Sequence, residues 1–288
     1  MKYNFIAIFA LLLCCSICAG LRIVPIPKSM DKGNQTIDVS SFHSIRFHFN
    51  MESLFSSRSE RFLAEGMKDI KAFEKIGAEI VNARLPGLTP FSHEKRSHKK
   101  ELVINVKLNS TKTAYTSYSN FAVEEAYKLI INSDFTEVDF ECHGYVSFLR
   151  ALETFMQVLT YGFKNTHFTF DFLPLSITDA PEFGHRGVMV DTARHFMTLE
   201  SLRTTIRGLS ISKLNVLHLH LTDSESFPLE MKKYPEITTY GAYSSEEVYT
   251  QNDIQELNLY AQSYGVILIP EIDSPAHTRS WSNAPELQ

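Results

Sequence analysis

Beyond its first twenty residues the chain contains a single cysteine, and this absence excludes a fold held together by disulfides. The sequence has 288 residues and four cysteines, but Cys14, Cys15 and Cys18 lie close to the amino terminus. The fourth, Cys142, has no partner with which to form an internal disulfide. The residues before it, 138–141, are typical of a strand, so we expect a buried cysteine that behaves as a small hydrophobic residue.

The sequence also lacks an excess of positive charge and, after its amino terminus, any long apolar run. The formal net charge is −5, with 44% hydrophobic and 21% charged residues, as in ordinary globular proteins. This balance gives no electrostatic reason to expect binding to nucleic acid or to an anionic membrane. No stretch after residue 20 approaches the ~20 apolar residues of a spanning helix, so we predict no membrane span. The length suits two modest domains.

Residues 1–20 predict a secretory signal peptide. Lys2 precedes an apolar run from Phe5 to Cys15, and the mostly small residues that follow suit cleavage. An uncleaved anchor is the alternative, but the run is short for a membrane span. A signal peptide implies a lysosomal, vacuolar or secreted protein. The sequons that begin at Asn34 and Asn109 are therefore predicted glycosylation sites.

Residues 21–180 predict an α+β domain in which a sheet packs against helices. Turn-forming residues dominate the beginning of this region. Apolar residues at helical spacing then indicate helices over 59–80 and 144–161. Strands are indicated at 44–49, 102–106, 126–131 and 138–141. The polar, proline-containing segment 177–181 marks the end of the domain.

Residues 181–288 change to alternating strands and helices, a pattern that indicates parallel βα units. Thr198 and Thr250 are placed to cap the two helices. A closed (β/α)8 barrel has eight strands. We therefore predict an α+β domain followed by the first three βα units of a TIM barrel that is incomplete in this chain. The three apolar strands are predicted at 185–191, 214–223 and 266–273.

Several acids stand near the carboxyl ends of these strands, where barrel enzymes carry out their chemistry. Any one of them can instead cap a helix or complete a turn, but a group suits general acid–base catalysis or recognition of sugar hydroxyls. His277 is placed to tune the pKa of a carboxylate. Arg186, at the start of the first strand, offers a planar set of donors for vicinal hydroxyls. The acids are Asp191, Asp223, Glu271 and Asp273.

Two histidines, His218 and His220, share one face of the second strand because side chains alternate along it. Such a pair begins the metal site of some barrel hydrolases. The strand continues to Asp223, however, and no other histidine or lysine has the companion spacing. We therefore expect both histidines to pack inside the barrel with hydrogen-bonded neighbours, and we predict neither a metal nor a cofactor.

Three segments of the second region resemble the β-N-acetylhexosaminidases of glycoside hydrolase family 20. The first segment contains HRG (185–187) and DTARH (191–195), the second is KLNVLHLHLTD (213–223), and the third is PEIDSPAHT (270–278). Shorter matches at 227–236 and, in the first domain, at 124–129 and 149–155 extend the resemblance over nearly the whole chain after the signal segment.

This resemblance implies removal of a terminal β-linked N-acetylhexosamine, either N-acetylglucosamine or N-acetylgalactosamine, from glycans, glycoproteins or glycolipids. The reaction retains configuration, because the 2-acetamido carbonyl of the sugar itself attacks the anomeric carbon. Arg186 would bind the terminal sugar. Asp223 and His277 would support the catalytic acid through a charge network that Glu271 and Asp273 shape. Such enzymes use no cofactor and are often homodimers.

The chain departs from the family pattern at Leu219, Ser224 and Ala276, where tryptophan, an acid and glycine are usual. The family's adjacent Asp-Glu pair, which orients the acetamide and protonates the leaving oxygen, is absent from this sequence. We therefore expect the 288-residue chain to be inactive alone. A truncated, non-catalytic paralogue or binding subunit is the alternative, and a metal-dependent barrel hydrolase that binds zinc is a third reading.

Overall fold

The computed structural model describes residues 23, 25–38, 42–50, 75, 77, 81, 100–110, 121–162 and 167–284. The predicted signal segment lies outside these residues, and so does most of the helix predicted over 59–80, of which Lys75 and Gly77 are helical. Among the described residues, no helix has the length and apolar character needed to cross a membrane.

The first part of the chain forms a seven-stranded mixed sheet. The strand order is β1-β7-β4-β5-β3-β2, and β6 pairs with β7 outside this path. β3 runs parallel to β2 and β5, whereas β4 and β7 are antiparallel to their neighbours. The strands are β1 (Ser29–Asp38), β2 (Phe42–Asn50), β3 (Lys100–Leu108), β4 (Tyr127–Ile131), β5 (Glu137–Cys142), β6 (Leu159–Gly162) and β7 (His167–Asp179). Among the described residues, helices α1 (Phe121–Glu124) and α2 (Tyr145–Val158) accompany them, in addition to the helical positions near residue 77.

Helix α2 is enclosed on both sides. Its predicted apolar stripe, including Phe148, Leu152 and Phe155, packs into the core of the sheet. Every residue of α2 except Gln157 is buried, because its other side meets the second part of the chain. Cys142 is buried and free, as the sequence predicts.

Two elements of this sheet differ from the sequence prediction. The helix predicted over 144–161 ends at Val158, and the chain continues as β6. The turn-rich beginning contains the edge strand β1, whose pairing with β7 shifts register between Lys32 and Gln35. Gly33 lies at this irregularity, where a Cβ atom would overlap the carbonyl of Leu173. Turn-forming residues therefore serve here as a bulge within a strand.

The second part of the chain forms a three-stranded parallel sheet in the order β10-β9-β8. As predicted, Thr198 accepts a hydrogen bond from the Ser201 amide, and Thr250 forms a capping box with Asp253. Helix α4 is an addition that the sequence did not predict. The elements are β8 (Gly187–Asp191), α3 (Leu199–Ile211), β9 (Val216–Thr222), α4 (Pro235–Gly241), α5 (Gln251–Ser263), β10 (Ile267–Ile272) and a 3-10 helix (Arg279–Asn283).

The two faces of this sheet differ in character. Leu217, Leu219 and Leu221 of β9 belong to the hydrophobic core formed with α3 and α5. His218 and His220 alternate with these leucines and therefore lie on the opposite face. The sheet thus separates an apolar layer under the helices from a face that carries imidazoles and carboxylates.

A buried carboxylate, Glu125, joins the two parts of the chain. Its side chain is 1% exposed and accepts from Arg150 Nε at 2.7 Å, Arg186 Nη2 at 2.5 Å and Asn215 Nδ2 at 2.9 Å. Burial alone would raise the pKa of Glu125, but Arg150 and Arg186 outweigh it and lower that pKa. The carboxylate is therefore charged and fully surrounded by donors.

A second polar cluster, around Lys213, lies at the same interface. The Lys213 ammonium donates to Thr154 Oγ1 at 2.6 Å and Tyr127 OH at 3.3 Å. Tyr127 OH in turn donates to Asp179 at 2.9 Å. Burial lowers the pKa of Lys213 to about 8, although Asp179 opposes the shift. Both clusters join residues at the amino ends of the parallel strands to the first sheet and α2.

We expect Glu125→Gln to lower the free energy of unfolding by about 3–5 kcal/mol, because two buried guanidinium groups lose their carboxylate. Urea unfolding followed by circular dichroism measures the change. Glu137→Gln is the matched control, since Glu137 is exposed at the start of β5, and its effect should stay within ~0.5 kcal/mol. Equal stabilities of the two variants would show that the Glu125 interaction does not hold the domains together.

Candidate active site

The carboxyl end of the parallel sheet gathers most of the predicted site residues around Asp223. This side chain, which follows β9, is 1% exposed. It accepts from His220 Nε2 at 2.9 Å, His277 Nδ1 at 3.1 Å and the Ser224 amide at 2.6 Å, and Arg194 Nη2 lies 2.7 Å away. Burial would raise the pKa of Asp223, but these hydrogen bonds hold it well below its usual range. Asp223 is thus a fixed negative charge that orders its neighbours.

His220 bridges two carboxylates that come from different parts of the chain. Its Nε2 meets Asp223, and its Nδ1 lies 3.0 Å from Glu271 Oε1 on β10. Burial lowers the pKa of His220, yet the hydrogen bonds to Asp223 and Glu271 outweigh burial, so the net shift is upward. The carboxylate at each nitrogen therefore stabilises the protonated form of the ring relative to the neutral form.

Glu271 also contacts His218 through its second oxygen. The two histidines of β9 therefore converge on one carboxylate, as their shared face requires. Burial raises the pKa of Glu271, and interactions with His220, Asp273 and His218 lower it overall. Asp273 offers a carboxylate oxygen that lies within 4.8 Å of ligand atoms on His220 and Glu271. Both histidines thus have the polar partners that the sequence predicts, but only His220 is packed away from solvent, since the His218 side chain is 37% exposed.

Arg194, which the sequence reading did not single out, lies at the opening of this cluster. Its Nη1 is 2.6 Å from Asp191 Oδ2, its Nη2 is 2.7 Å from Asp223, and its Nε is 3.4 Å from Glu225. The side chain remains 40% exposed, so part of the guanidinium faces solvent. Asp191 also accepts from the Ala193 and Arg194 amides. In the sequence, the signal for this ion pair is that Arg194 follows Asp191 by three residues, directly after the predicted strand.

Arg186 does not join this cluster, and the expectation that it binds sugar is corrected. It precedes β8, so its side chain lies at the amino end of the sheet, opposite the carboxyl end where Asp223 lies. Its guanidinium donates to Glu125 and to the carbonyls of Phe183, Gly184 and Lys213. These contacts assign it to the domain interface.

The arrangement combines carboxylates of fixed charge, an imidazole held between two of them and a half-exposed guanidinium. Such a set can bind hydroxyl groups through charge-assisted hydrogen bonds and can hold a proton at a defined atom. No protein nucleophile is needed for either task.

Two family models match the chain in succession. Residues 23–158 match a model described as "beta-acetyl hexosaminidase like", and residues 183–288 match "Glycosyl hydrolase family 20, catalytic domain". The chain belongs to glycosyl hydrolase family 20. This agrees with the resemblance carried by the motifs around Asp191, Asp223 and Glu271.

Named relatives of this family span more sequence than this chain does. Beta-hexosaminidase subunit B1 of Dictyostelium discoideum is 41% identical over 177 residues, which are 61% of this chain and 31% of that protein. Human beta-hexosaminidase subunit beta is 32% identical over 192 residues, or 67% and 33% of the two chains. The chain thus spans about a third of the length of these curated relatives.

Solved structures of family 20 proteins share the fold. The Flavobacterium johnsoniae chitobiase superposes with a TM-score of 0.68 at 23% identity, covering 92% of this chain and 37% of that one. An exo β-N-acetylglucosaminidase from Vibrio harveyi, solved with N-acetylglucosamine, gives a TM-score of 0.66 at 23% identity, covering 91% and 37%. The α+β domain followed by parallel βα units is therefore the family 20 fold.

We expect Asp223→Asn to lower the pKa of His220, because the amide removes one of the two negative charges that stabilise the imidazolium. Nuclear magnetic resonance titration of the imidazole nitrogens measures that pKa in each protein. Glu137→Gln, which changes an exposed carboxylate in the first domain, is the control and should leave the His220 pKa unchanged. An unchanged His220 pKa would contradict the proposed electrostatic coupling.

Proposed function

We propose that this protein acts as a β-N-acetylhexosaminidase and releases terminal non-reducing N-acetylglucosamine or N-acetylgalactosamine from glycoconjugates. The observation that carries the proposal is the cluster of Arg194, Asp223, His220 and His277 at the carboxyl end of the sheet, in a chain of family 20. The names of its relatives, all beta-hexosaminidases, support the substrate class.

In this proposal Arg194, not Arg186, binds the hydroxyl groups of the terminal sugar. Asp191 and Asp223 hold two of its terminal nitrogens from one side, which leaves the exposed part of the fork directed to solvent. A guanidinium held in this way binds two neighbouring hydroxyls with little loss of side-chain entropy on binding.

The buried network behind Arg194 would position the groups that transfer protons. Asp223 fixes His277 and His220, Glu271 fixes the other side of His220, and Asp273 interacts with Glu271. By family resemblance, the acetamide of the sugar supplies the nucleophile, so the protein must orient the substrate and stabilise charge. We assign no catalytic acid among residues 1–288, because no aspartate in the sequence directly precedes a glutamate.

The wider setting follows from the same family assignment. We propose that the parallel units β8, β9 and β10 are the first three of a (β/α)8 barrel, preceded by a domain over 21–180. A signal at 1–20 would direct the chain to the secretory pathway and to a lysosomal, vacuolar or extracellular location. Asn34 and Asn109 are both exposed, which supports their assignment as glycosylation sites. Homodimer formation in a full-length form is also proposed.

The natural polypeptide, purified from its source, should hydrolyse chromogenic N-acetyl-β-glucosaminide or N-acetyl-β-galactosaminide substrates. The matched control is the β-glucoside, which lacks the acetamide and should not be hydrolysed, because substrate assistance is then impossible. Turnover of neither N-acetylhexosaminide would contradict the proposed activity. Binding of N-acetylglucosamine without turnover would favour the binding-subunit alternative.

Within the active polypeptide, Arg194→Ala should reduce kcat/KM by roughly 10²-fold, because the charge-assisted hydrogen bonds to the sugar are lost. Arg194→Lys should restore little, since lysine lacks the planar fork. Arg203→Ala on α3 is the control and should leave kcat/KM unchanged. A normal kcat/KM for both Arg194 variants would reject the sugar-binding role.

A further inference from the structure

We propose that His220, Glu271 and Asp273 form a binding site for a divalent transition-metal ion, with zinc as the preferred ion. These residues belong to the network described above, but the proposal can be tested independently of the hydrolase activity, since ion binding requires neither substrate nor turnover. It is built from side chains that the sequence placed on two different strands and that only the sheet brings together.

The ligand atoms already have nearly the spacing that a metal ion requires. His220 Nδ1 and Glu271 Oε1 are 3.0 Å apart, whereas two ligands on a tetrahedral zinc ion with bonds of ~2.1 Å are about 3.4 Å apart. The Asp273 oxygen completes a set whose members all lie within 4.8 Å of one another. A small movement of the Asp273 side chain would therefore bring all three ligand atoms within bonding distance of one ion.

The three protein ligands leave the fourth tetrahedral position for water. His218 contacts the second oxygen of Glu271 through Nε2 and so supports this ligand from outside the set. One imidazole nitrogen, two carboxylate oxygens and a water are a ligand set that suits zinc. Calcium and magnesium prefer all-oxygen coordination, which this set cannot supply.

The outer surroundings of His220 also fit a metal ligand. Its Nε2 hydrogen bonds to the buried Asp223 at 2.9 Å, which fixes the ring and leaves Nδ1 facing Glu271. The ion would bind at Nδ1 in place of a proton, which is released to solvent, while Nε2 keeps its proton for Asp223. A carboxylate that orients a histidine from behind in this way is the usual support of a zinc-bound imidazole. Asp223 is itself fixed by His277 and by the Ser224 amide.

The site is open to an ion from solution. The side chains of His218 and Glu271 are 37% and 29% exposed, respectively, while His220 is buried behind them. An ion held here would immobilise Glu271 and Asp273 and would compete with any proton-transfer role of this network.

Titration of the full chain with Co²⁺ tests the proposal without any substrate. We expect a saturable visible absorption band of four-coordinate cobalt, with one ion per chain, that disappears when Zn²⁺ is added and persists when Mg²⁺ or Ca²⁺ is added. The absence of a band at a large molar excess of cobalt would overturn the proposal, whatever the hydrolase assays show.

Variants locate the ion. His220→Ala and Asp273→Asn should abolish the band, and Asp223→Asn should weaken binding by about 10–100-fold through the loss of outer support. His185→Ala is the matched control, because this exposed histidine precedes β8 at the opposite end of the sheet, and it should bind cobalt normally. Far-ultraviolet circular dichroism verifies folding of each variant. An unchanged band in both folded His220→Ala and Asp273→Asn proteins would place the ion elsewhere and reject this site.

Discussion

The buried carboxylate of Glu125 is the interaction on which the rest of the structure depends. It follows α1 in the first domain, and it is bound by Arg150 on α2 and by Arg186 and Asn215, which precede β8 and β9. A buried charge in this position is tolerated only when every neighbour is in place. The contact therefore fixes how the parallel sheet sits on the first domain.

This constraint explains which end of the sheet is free for chemistry. Lys213 also reaches into the first domain, and Arg150 donates to the carbonyl oxygens of Leu214 and Gly265. All of these contacts lie at the amino ends of the parallel strands. The first domain thus closes one end of the sheet, and the opposite end, with Asp223, remains open for ligands.

The two charge networks follow different electrostatic rules. Around Glu125, donors surround one carboxylate that is almost fully buried, so the network is structural and closed. Around Asp223, carboxylates alternate with imidazoles, and Arg194 is still 40% exposed. An open network of this kind can exchange a proton, a hydroxyl group or a metal ion for one of its own contacts. The proposed sugar site and the proposed metal site both use this property.

The sequence by itself determined the local elements and the end of the sheet at which acids gather. Helical spacing, the caps at Thr198 and Thr250 and the position of Asp223 after an apolar strand are all local signals. Strands β7 and β1 were not predicted. In β1 the turn-forming residues around Gly33 indicated a loop, and only the pairing with β7 shows that they belong to a bulged edge strand. Strands that pair can be far apart in the sequence, so the hydrophobic periodicity of one segment cannot reveal its partner.

Only the tertiary structure decided which arginine faces the site. Both Arg186 and Arg194 flank β8, and both have the donors that a sugar requires. The first domain covers the amino end of β8 and takes up Arg186 with Glu125, whereas Arg194 lies at the carboxyl end beside Asp223. Likewise, His220 meets Glu271 only because β9 and β10 are adjacent, although 51 residues separate them in sequence. Residue types set what chemistry is available, and strand order with domain docking selects the residues that perform it.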